Sequence, residues 1–513
     1  IVRFLMKKLL YILSHRSVFV ALSLVAQIGA LFFLLSFFSE SDAAFYWSCI
    51  ALSIVSSLLI LGSRMEPAYK IAWLLLVLPF PVFGGFFYFL IGGNHISTRL
   101  RRKMQGIAQK TKVALIDDFK AEDLLPLGED AAGQARYLEE YAYAPAYTNT
   151  EAEYFPLGEL AFEKILEELR KAKRYIFLEY FILEPGKMWD SMLAVLEEKA
   201  AQGVEVRLIY DDMGCMFTLP RDYNQQMADR GIQCQVFNRF MPVVTLRFNN
   251  RDHRKLLIID GEVGFTGGIN LADEYINARE RFGHWKDSAI RLEGDAVWSM
   301  TVMFLTMWEF CSGWEEEYSR FKPKPAPVRP WTGYVQPYTD TPLDFEAVGQ
   351  TVYLNLISRA RKYIYITSPY LVIDTATSTA LCNAAKAGVD VRIITPHIPD
   401  KRYVFEVTRA HYPPLLEAGV RIYEYTPGFI HAKNFVVDGR FATVGTVNLD
   451  YRSLFLHFED GVWLCEAPCI EDIRKDFEAT MQRSEPVNLR KFRRLSPLVQ
   501  LYRNVLRLFA PLM

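Results

Sequence analysis

The chain has 513 residues, a formal net charge of −1 and a hydrophobic share of 51%. Near-neutral charge excludes a broad electrostatic pull toward nucleic acid and leaves only local basic patches, while the length gives room for two lobes and more. The hydrophobic share exceeds what a soluble fold needs, and the excess sits at the front.

Val18 to Phe38 is almost continuously apolar, with Gln27 the main interruption, and Ala43 to Leu61 is a second run of spanning length. A third run, Ile71 to Ile91, contains Pro79, Pro81, Gly84 and Gly85, so it either spans a bilayer or bends back within it. No small-residue cleavage site comes after the first run, which favours a retained anchor over a removed signal. Residues 1–110 are therefore expected to anchor a multi-pass membrane protein. Arg3, Lys7, Lys8 and Arg16 favour an inside N-terminus, while Arg99, Arg101, Arg102 and Lys103 favour an inside, cytoplasmic position for the two lobes. A third segment that is broken at Pro79-Phe80-Pro81 and does not cross would reconcile the two.

Farther along, Arg174 to Leu178 reads as a buried strand, and after a helical stretch Gly203 to Tyr210 reads as another. The second half repeats that order with Arg361 to Ile366 and Gly388 to Ile394. Strands alternating with helices predict an α/β fold of βαβ units, with a mainly parallel sheet in each of two similar lobes. Lys322 to Pro330 is too proline-rich for a helix and reads as a stiff connector. That places the lobes at 130–325 and 326–490. The tail, 491–513, begins within the basic run Arg490 to Arg494 and interleaves Arg503 and Arg507 with Leu and Phe. It suits an anionic membrane surface or a terminal helix packed on a lobe.

Each lobe carries the pattern His-x-Lys-x4-Asp: His253, Lys255 and Asp260 in the first, His431, Lys433 and Asp438 in the second. In each, an Asn comes 17 residues after the His, Asn270 and Asn448. Two copies in step are hard to attribute to accident. Phosphodiester exchange needs a nucleophile at phosphorus, an acid for the departing alkoxide and fixed donors for the remaining oxygens. One neutral imidazole supplies the first and a protonated imidazole the second. Lys255, Lys433, Asn270 and Asn448 would face the non-bridging oxygens. Asp260 and Asp438 precede Gly261 and Gly439, so they either fix a turn or take a direct part. The 7 Cys are scattered, and neither they nor the histidines are clustered like metal ligands, so no metal and no cofactor is expected.

With this paired motif the chain resembles the phospholipase D superfamily over nearly everything after residue 130. The resemblance implies two lobes packed about a pseudo-twofold axis and sharing one active site, with His253 as nucleophile and His431 as general acid and base. It also implies that Asp287 and Glu459 orient the histidine of the opposite lobe. Within the superfamily, Leu178 to Ile182, Tyr210 to Gly214, Asn250 to Gly261, Gly267 to Ile276 and Asn448 to Ser453 are similar to bacterial cardiolipin synthases. The front around Trp73, Pro81, Gly84 and Tyr88 and the ending Arg507 to Leu512 resemble that family too. This implies joining two phosphatidylglycerol molecules into cardiolipin with release of glycerol, at a bacterial membrane. There are departures. His457 stands where the family commonly has Asn, Thr446 replaces the second Gly of the second motif, and an extra apolar run precedes the usual two. A hydrolytic phospholipase D, another phosphatidyltransferase, a nuclease and a non-catalytic scaffold are the competing readings; the charge and the anchor speak against the nuclease, and the two intact motifs against the scaffold.

Overall fold

The computed structural model describes residues 43–89, 98–116, 120–239, 250–325, 327–330 and 332–512, together with 25, 28–29 and 32–38. Most of the first apolar run lies outside the described residues, as do Arg3, Lys7, Lys8 and Arg16. Ala43–Gly62 is a helix of 20 residues, long and apolar enough to cross a bilayer, and Trp47, Ile54, Val55, Leu58 and Leu59 are exposed on it. The third run is broken where its prolines fall. Helix Pro67–Val77 ends before Pro79, and a short helix, Pro81–Phe87, restarts with proline in its first turn, where a missing N–H costs nothing. Gly84 lets that restart fold back tightly, since a Cβ there would come within 2.4 Å of the Val77 Cα. At 11 and 7 residues neither piece, among the described residues, reaches the roughly 20 needed to span.

The first lobe contributes β1 (Thr150–Phe155), β2 (Tyr175–Tyr180), β3 (Glu205–Asp211), β4 (Gln233–Phe237), β5 (Arg251–Asp252), β6 (Lys255–Ile259), β7 (Val263–Gly267), β8 (His284–Lys286) and β9 (Ala289–Gly294). Seven of them form a sheet in the order β1-β9-β7-β6-β2-β3-β4. The second lobe contributes β10 (Tyr334–Asp340), β11 (Tyr363–Thr367), β12 (Leu371–Val372), β13 (Asp390–Pro396), β14 (Arg421–Tyr425), β15 (Gly428–Ile430), β16 (Asn434–Val437), β17 (Phe441–Gly445), β18 (Leu449–Asp450), β19 (His457–Cys465) and β20 (Ser484–Pro486). Its sheet runs β10-β19-β17-β16-β11-β13-β14-β20, and the two orders correspond, β9-β7-β6-β2-β3-β4 to β19-β17-β16-β11-β13-β14.

The sheets are mixed, which corrects the mainly parallel expectation. Along the two strand orders given above, parallel pairing is confined to β2-β3-β4 and β11-β13-β14, where a helical crossover returns the chain in the same direction. After each motif the chain instead turns tightly at Asp260-Gly261 or Asp438-Gly439, all four residues with positive φ. Two consecutive positive-φ residues suit a hairpin turn, so β6-β7 and β16-β17 are antiparallel.

One apolar cluster joins the lobes. It contains Phe177, Ile258 and Leu292 from the first sheet, Val335, Val444, Val462 and Leu464 from the second, and the buried helix Val297–Ser312 between them. Each large aliphatic or aromatic side chain so buried contributes about 1.5–3 kcal/mol. Polar groups inside find partners, as Tyr147 and Ser299 do at 3.0 Å. The C-terminal helix Pro497–Phe509 packs on the second lobe through Arg503 and Glu406, 2.8 Å apart, while Leu498, Leu501, Tyr502, Val505 and Leu508 remain exposed.

Candidate active site

Just before each motif histidine, a short strand leaves its own lobe and pairs with the other. β5 runs parallel to the start of β19, and the His253 N–H donates to the Phe458 carbonyl at 2.9 Å. β15 runs parallel to β8, and the His431 N–H donates to the Lys286 carbonyl at 2.7 Å. The residue after each accepting carbonyl bears a carboxylate within reach of the imidazole. His253 Nδ1 donates to Glu459 Oε2 at 2.9 Å, and His431 Nδ1 donates to Asp287 Oδ2 at 2.8 Å. Both carboxylates are wholly buried.

Burial pulls both imidazoles down, His253 to about 3 and His431 to about 4, with Lys433 adding to the fall at His431. Burial also works against the two acids, but the histidines beside them hold Glu459 and Asp287 below the usual carboxylate range. At neutral pH each pair is thus a neutral imidazole donating to a carboxylate, which leaves the Nε2 lone pair available. Lys255 and Lys433 are buried and drawn down to about 8 and about 7 by loss of hydration. Lys255 Nζ donates to the His253 carbonyl at 2.6 Å. Lys433 Nζ donates to the His431 carbonyl and lies 2.9 Å from His431 Nδ1.

The remaining sequence candidates divide. Asp260 and Asp438 lie at the far ends of β6 and β16 from the histidines. Asp260 accepts from the N–H groups of Lys173, Arg174 and Tyr175 at 2.7–2.9 Å, and Asp438 from Arg361, Lys362 and Tyr363 at 2.8 Å. Of the two readings left open for them, direct participation gives way to turn fixing, because three backbone donors occupy each carboxylate. Asn270 is also committed. Its Oδ1 accepts from Ile182 N–H at 3.0 Å and its Nδ2 donates to the Tyr275 hydroxyl at 2.7 Å, so the expected amide donor faces the scaffold. Asn448 is 5% exposed and its Oδ1 has no partner among the described residues.

Several groups near the histidines escaped sequence reasoning. Asp460 accepts from the Thr266 hydroxyl of the other lobe at 2.5 Å, and burial pushes its carboxyl up to about 7. Its position after Glu459 was the available signal. The Phe181 ring lies 5.0 Å from that of His253, and the Tyr275 and Trp285 rings lie 5.5 Å from that of His431. A cavity of about 480 Å³ between the front helices and the second lobe, lined in part by Arg64, Tyr69, Trp73, Arg101 and Arg452, reaches His457.

The family described as "Cardiolipin synthase, PLD-like domain" matches residues 165–288 and 353–481, and "Phospholipase_D-nuclease N-terminal" matches 51–93. A Streptococcus mutans protein described as uncharacterized is 43% identical, covering 90% of this chain and 100% of its own length. A cardiolipin synthase of Geobacillus sp. is 34% identical, covering 87% of this chain and 89% of its own, and one of Geobacillus kaustophilus is 33% identical over 96% and 98%. In structure, the phosphatidylserine synthase of Haemophilus influenzae superimposes with a TM-score of 0.57 at 14% identity, over 74% of this chain and all of that one. That likeness concerns the fold.

Proposed function

We propose that this chain, which belongs to the cardiolipin synthase family of phospholipase D-like phosphatidyltransferases, joins two phosphatidylglycerol molecules into cardiolipin and releases glycerol. The observation that carries the reading is the meeting of two His-Lys pairs from different lobes, each imidazole backed by a carboxylate of the opposite lobe. His253 Nε2 attacks the phosphorus of the first lipid, forming a P–N bond as the bond to the glycerol oxygen breaks. His431, protonated once the anionic phosphodiester occupies the cleft, gives its proton to that oxygen. A hydroxyl of the second phosphatidylglycerol then passes its proton to His431 and attacks the phosphorus, and His253 leaves. Lys255 and Lys433 stabilise the charge on the non-bridging oxygens, where preorganised donors are worth most. Asn448, buried and with no partner for its Oδ1 among the described residues, is the remaining amide candidate for those oxygens.

The apolar front and the exposed apolar face of the C-terminal helix hold the lobes at a bilayer, where the acceptor lipid is concentrated. The cavity that reaches His457 from the front helices gives a headgroup a way in from that side. Purified full-length protein in detergent with phosphatidylglycerol is expected to yield cardiolipin and glycerol in equal amounts, with no loss of rate on adding EDTA. Phosphatidic acid as the sole lipid product would make the chain a hydrolase. Complete loss with EDTA, restored by one divalent ion, would overturn the two-histidine mechanism.

A further inference from the structure

The two departures in the second motif converge on one carboxylate. Thr446 Oγ1 donates to Glu459 Oε2 at 2.5 Å, and His457 Nδ1 lies 3.5 Å from Glu459 Oε1. That Oε1 and both ring nitrogens of His457 are buried with no hydrogen-bond partner among the described residues, and the His457 side chain is only 10% exposed. A buried polar atom without a partner is costly, and two of these, Glu459 Oε1 and His457 Nδ1, lie side by side. His253 completes the set, its ring 5.6 Å from that of His457. One ligating atom from each of His253, His457 and Glu459 falls within 4.8 Å of the other two.

We propose that His253, His457 and Glu459 bind a divalent transition ion of the zinc class, and that the bound ion switches the centre off. Two imidazoles and a carboxylate form a nitrogen-rich set that suits zinc and neighbouring metals, whereas magnesium and calcium prefer oxygen. Bond lengths of about 2.0–2.2 Å in a tetrahedral site space ligand atoms about 3.3 Å apart. Here His253 Nδ1 lies 2.9 Å from Glu459 Oε2 and His457 Nδ1 lies 3.5 Å from Glu459 Oε1, so each imidazole sits near that spacing from one oxygen of the carboxylate, and one ligand atom from each of the three residues lies within 4.8 Å of the others. The opposite half has no equivalent, because the residue two before its carboxylate is Trp285, whose indole cannot ligate.

Binding at the site stands on this geometry alone; its effect on turnover rests on His253 being the nucleophile. A metal taken up by Nδ1 needs that nitrogen's lone pair, so the Nδ1 proton moves to Nε2. The Nε2 lone pair that would attack phosphorus is then gone. A metal on Nε2 blocks the same atom directly. Either way the ion inhibits and is not a cofactor, so a chelator leaves the basal rate unchanged or raises it.

The test is titration of the full-length protein in detergent with zinc at buffered free concentrations, with binding measured by calorimetry and transfer by cardiolipin formed. Wild type is expected to bind one ion per chain, and His457→Asn to bind at least about tenfold more weakly, since even an outer partner of a ligand is worth that much. His457→Cys keeps a ligating side chain and should retain binding, so it decides the matter if the Asn variant fails to fold. In the wild type the transfer rate should fall in step with occupancy; in His457→Asn, relative to its own metal-free rate, the fall should move to correspondingly higher zinc. Equal zinc affinity in wild type and His457→Asn overturns the site. His457-dependent binding without effect on transfer overturns the inhibitory role. His457-dependent binding in a protein that makes no cardiolipin leaves the site standing and sinks the proposed function instead.

Discussion

The two halves of the centre share a backbone plan and differ in what surrounds the carboxylate. In the half around His431, Asp287 lies so close to the chain that a Cβ on Gly268 would sit 2.0 Å from its Oδ1; glycine is what fits. In the half around His253 the carboxylate belongs to Glu459, one methylene longer, and the matching position is Thr446, whose hydroxyl donates to it. Gly268 with Asp287 and Thr446 with Glu459 are thus two solutions to one problem, holding an imidazole from behind. Trp285 against His457 is the second contrast, an apolar wall beside the proposed acid and a polar one beside the proposed nucleophile. The scaffold is repeated, and the chemistry is divided by side chains around each carboxylate.

The sharpest break of this comparison lies in the histidines. His253→Ala should lower turnover by roughly ten-thousandfold or more, as loss of a nucleophile does elsewhere, and quenched reactions with phosphate-labelled lipid should place the label on His253; label on His431 would exchange the two roles. Lys255→Ala and Lys433→Ala should each cost about a hundredfold or more, the scale of one donor at a developing charge, and a rate near wild type in either variant would remove that lysine from the phosphate site. Gly268→Ala should cost about 1–3 kcal/mol of stability by overpacking and, through a displaced Asp287, about tenfold to a hundredfold in rate. Thr446→Ala removes the bond to Glu459 and the one that Oγ1 accepts from the Asp460 N–H at 2.9 Å, and should cost about 1–2 kcal/mol but only a few-fold in rate. Equal effects of these last two in unfolding and rate measurements would erase the distinction between the halves.

A further effect is in acid. His253 and His431 are held at about 3 and about 4 in the fold, below the ordinary value of about 6.5 for an unfolded chain. The unfolded state therefore binds more protons in that window, and the stability tied to the neutral imidazoles is full above about pH 6.5 and lost as pH falls toward 4 and then 3. The unfolding midpoint of wild type should drop as pH falls from about 6.5 to about 4, with a shallower slope in a His253→Asn variant. Identical slopes would show that the imidazole is not buried neutral.

Much of the centre was legible in the residues. The repeated His-x-Lys-x4-Asp located both histidines and both lysines, and the alternation of strands and helices gave two α/β lobes. Family resemblance, not spacing, pointed to Asp287 and Glu459. Other features depend on contacts that no local pattern encodes. In sequence Asp260 and Asp438 leave turn fixing and a direct part equally open, and nothing local shows that their carboxylates serve the backbone of Lys173 to Tyr175 and Arg361 to Tyr363, far away along the chain. Asn270 keeps its spacing from His253 but spends its amide on Ile182 and Tyr275. The antiparallel edge of each sheet hid behind βαβ periodicity, because the hairpins are short and buried on both faces, so their strands lack the alternation that marks half-exposed ones. His457 was visible as a departure; its nearness to His253 was not.

The exchange of β5 and β15 between lobes carries a consequence for how such a molecule can change over generations. Were the same site assembled from two separate copies of a single lobe, every substitution would appear on both sides at once, and a threonine that suits one carboxylate would strike the other. Joining the copies in one chain removes that constraint, and Gly268 and Thr446 can be inherited independently. Specialisation of one imidazole for attack and the other for proton transfer is then open to selection, while the interleaved strands keep either lobe from drifting into independence, because each still lacks half of what its own histidine needs.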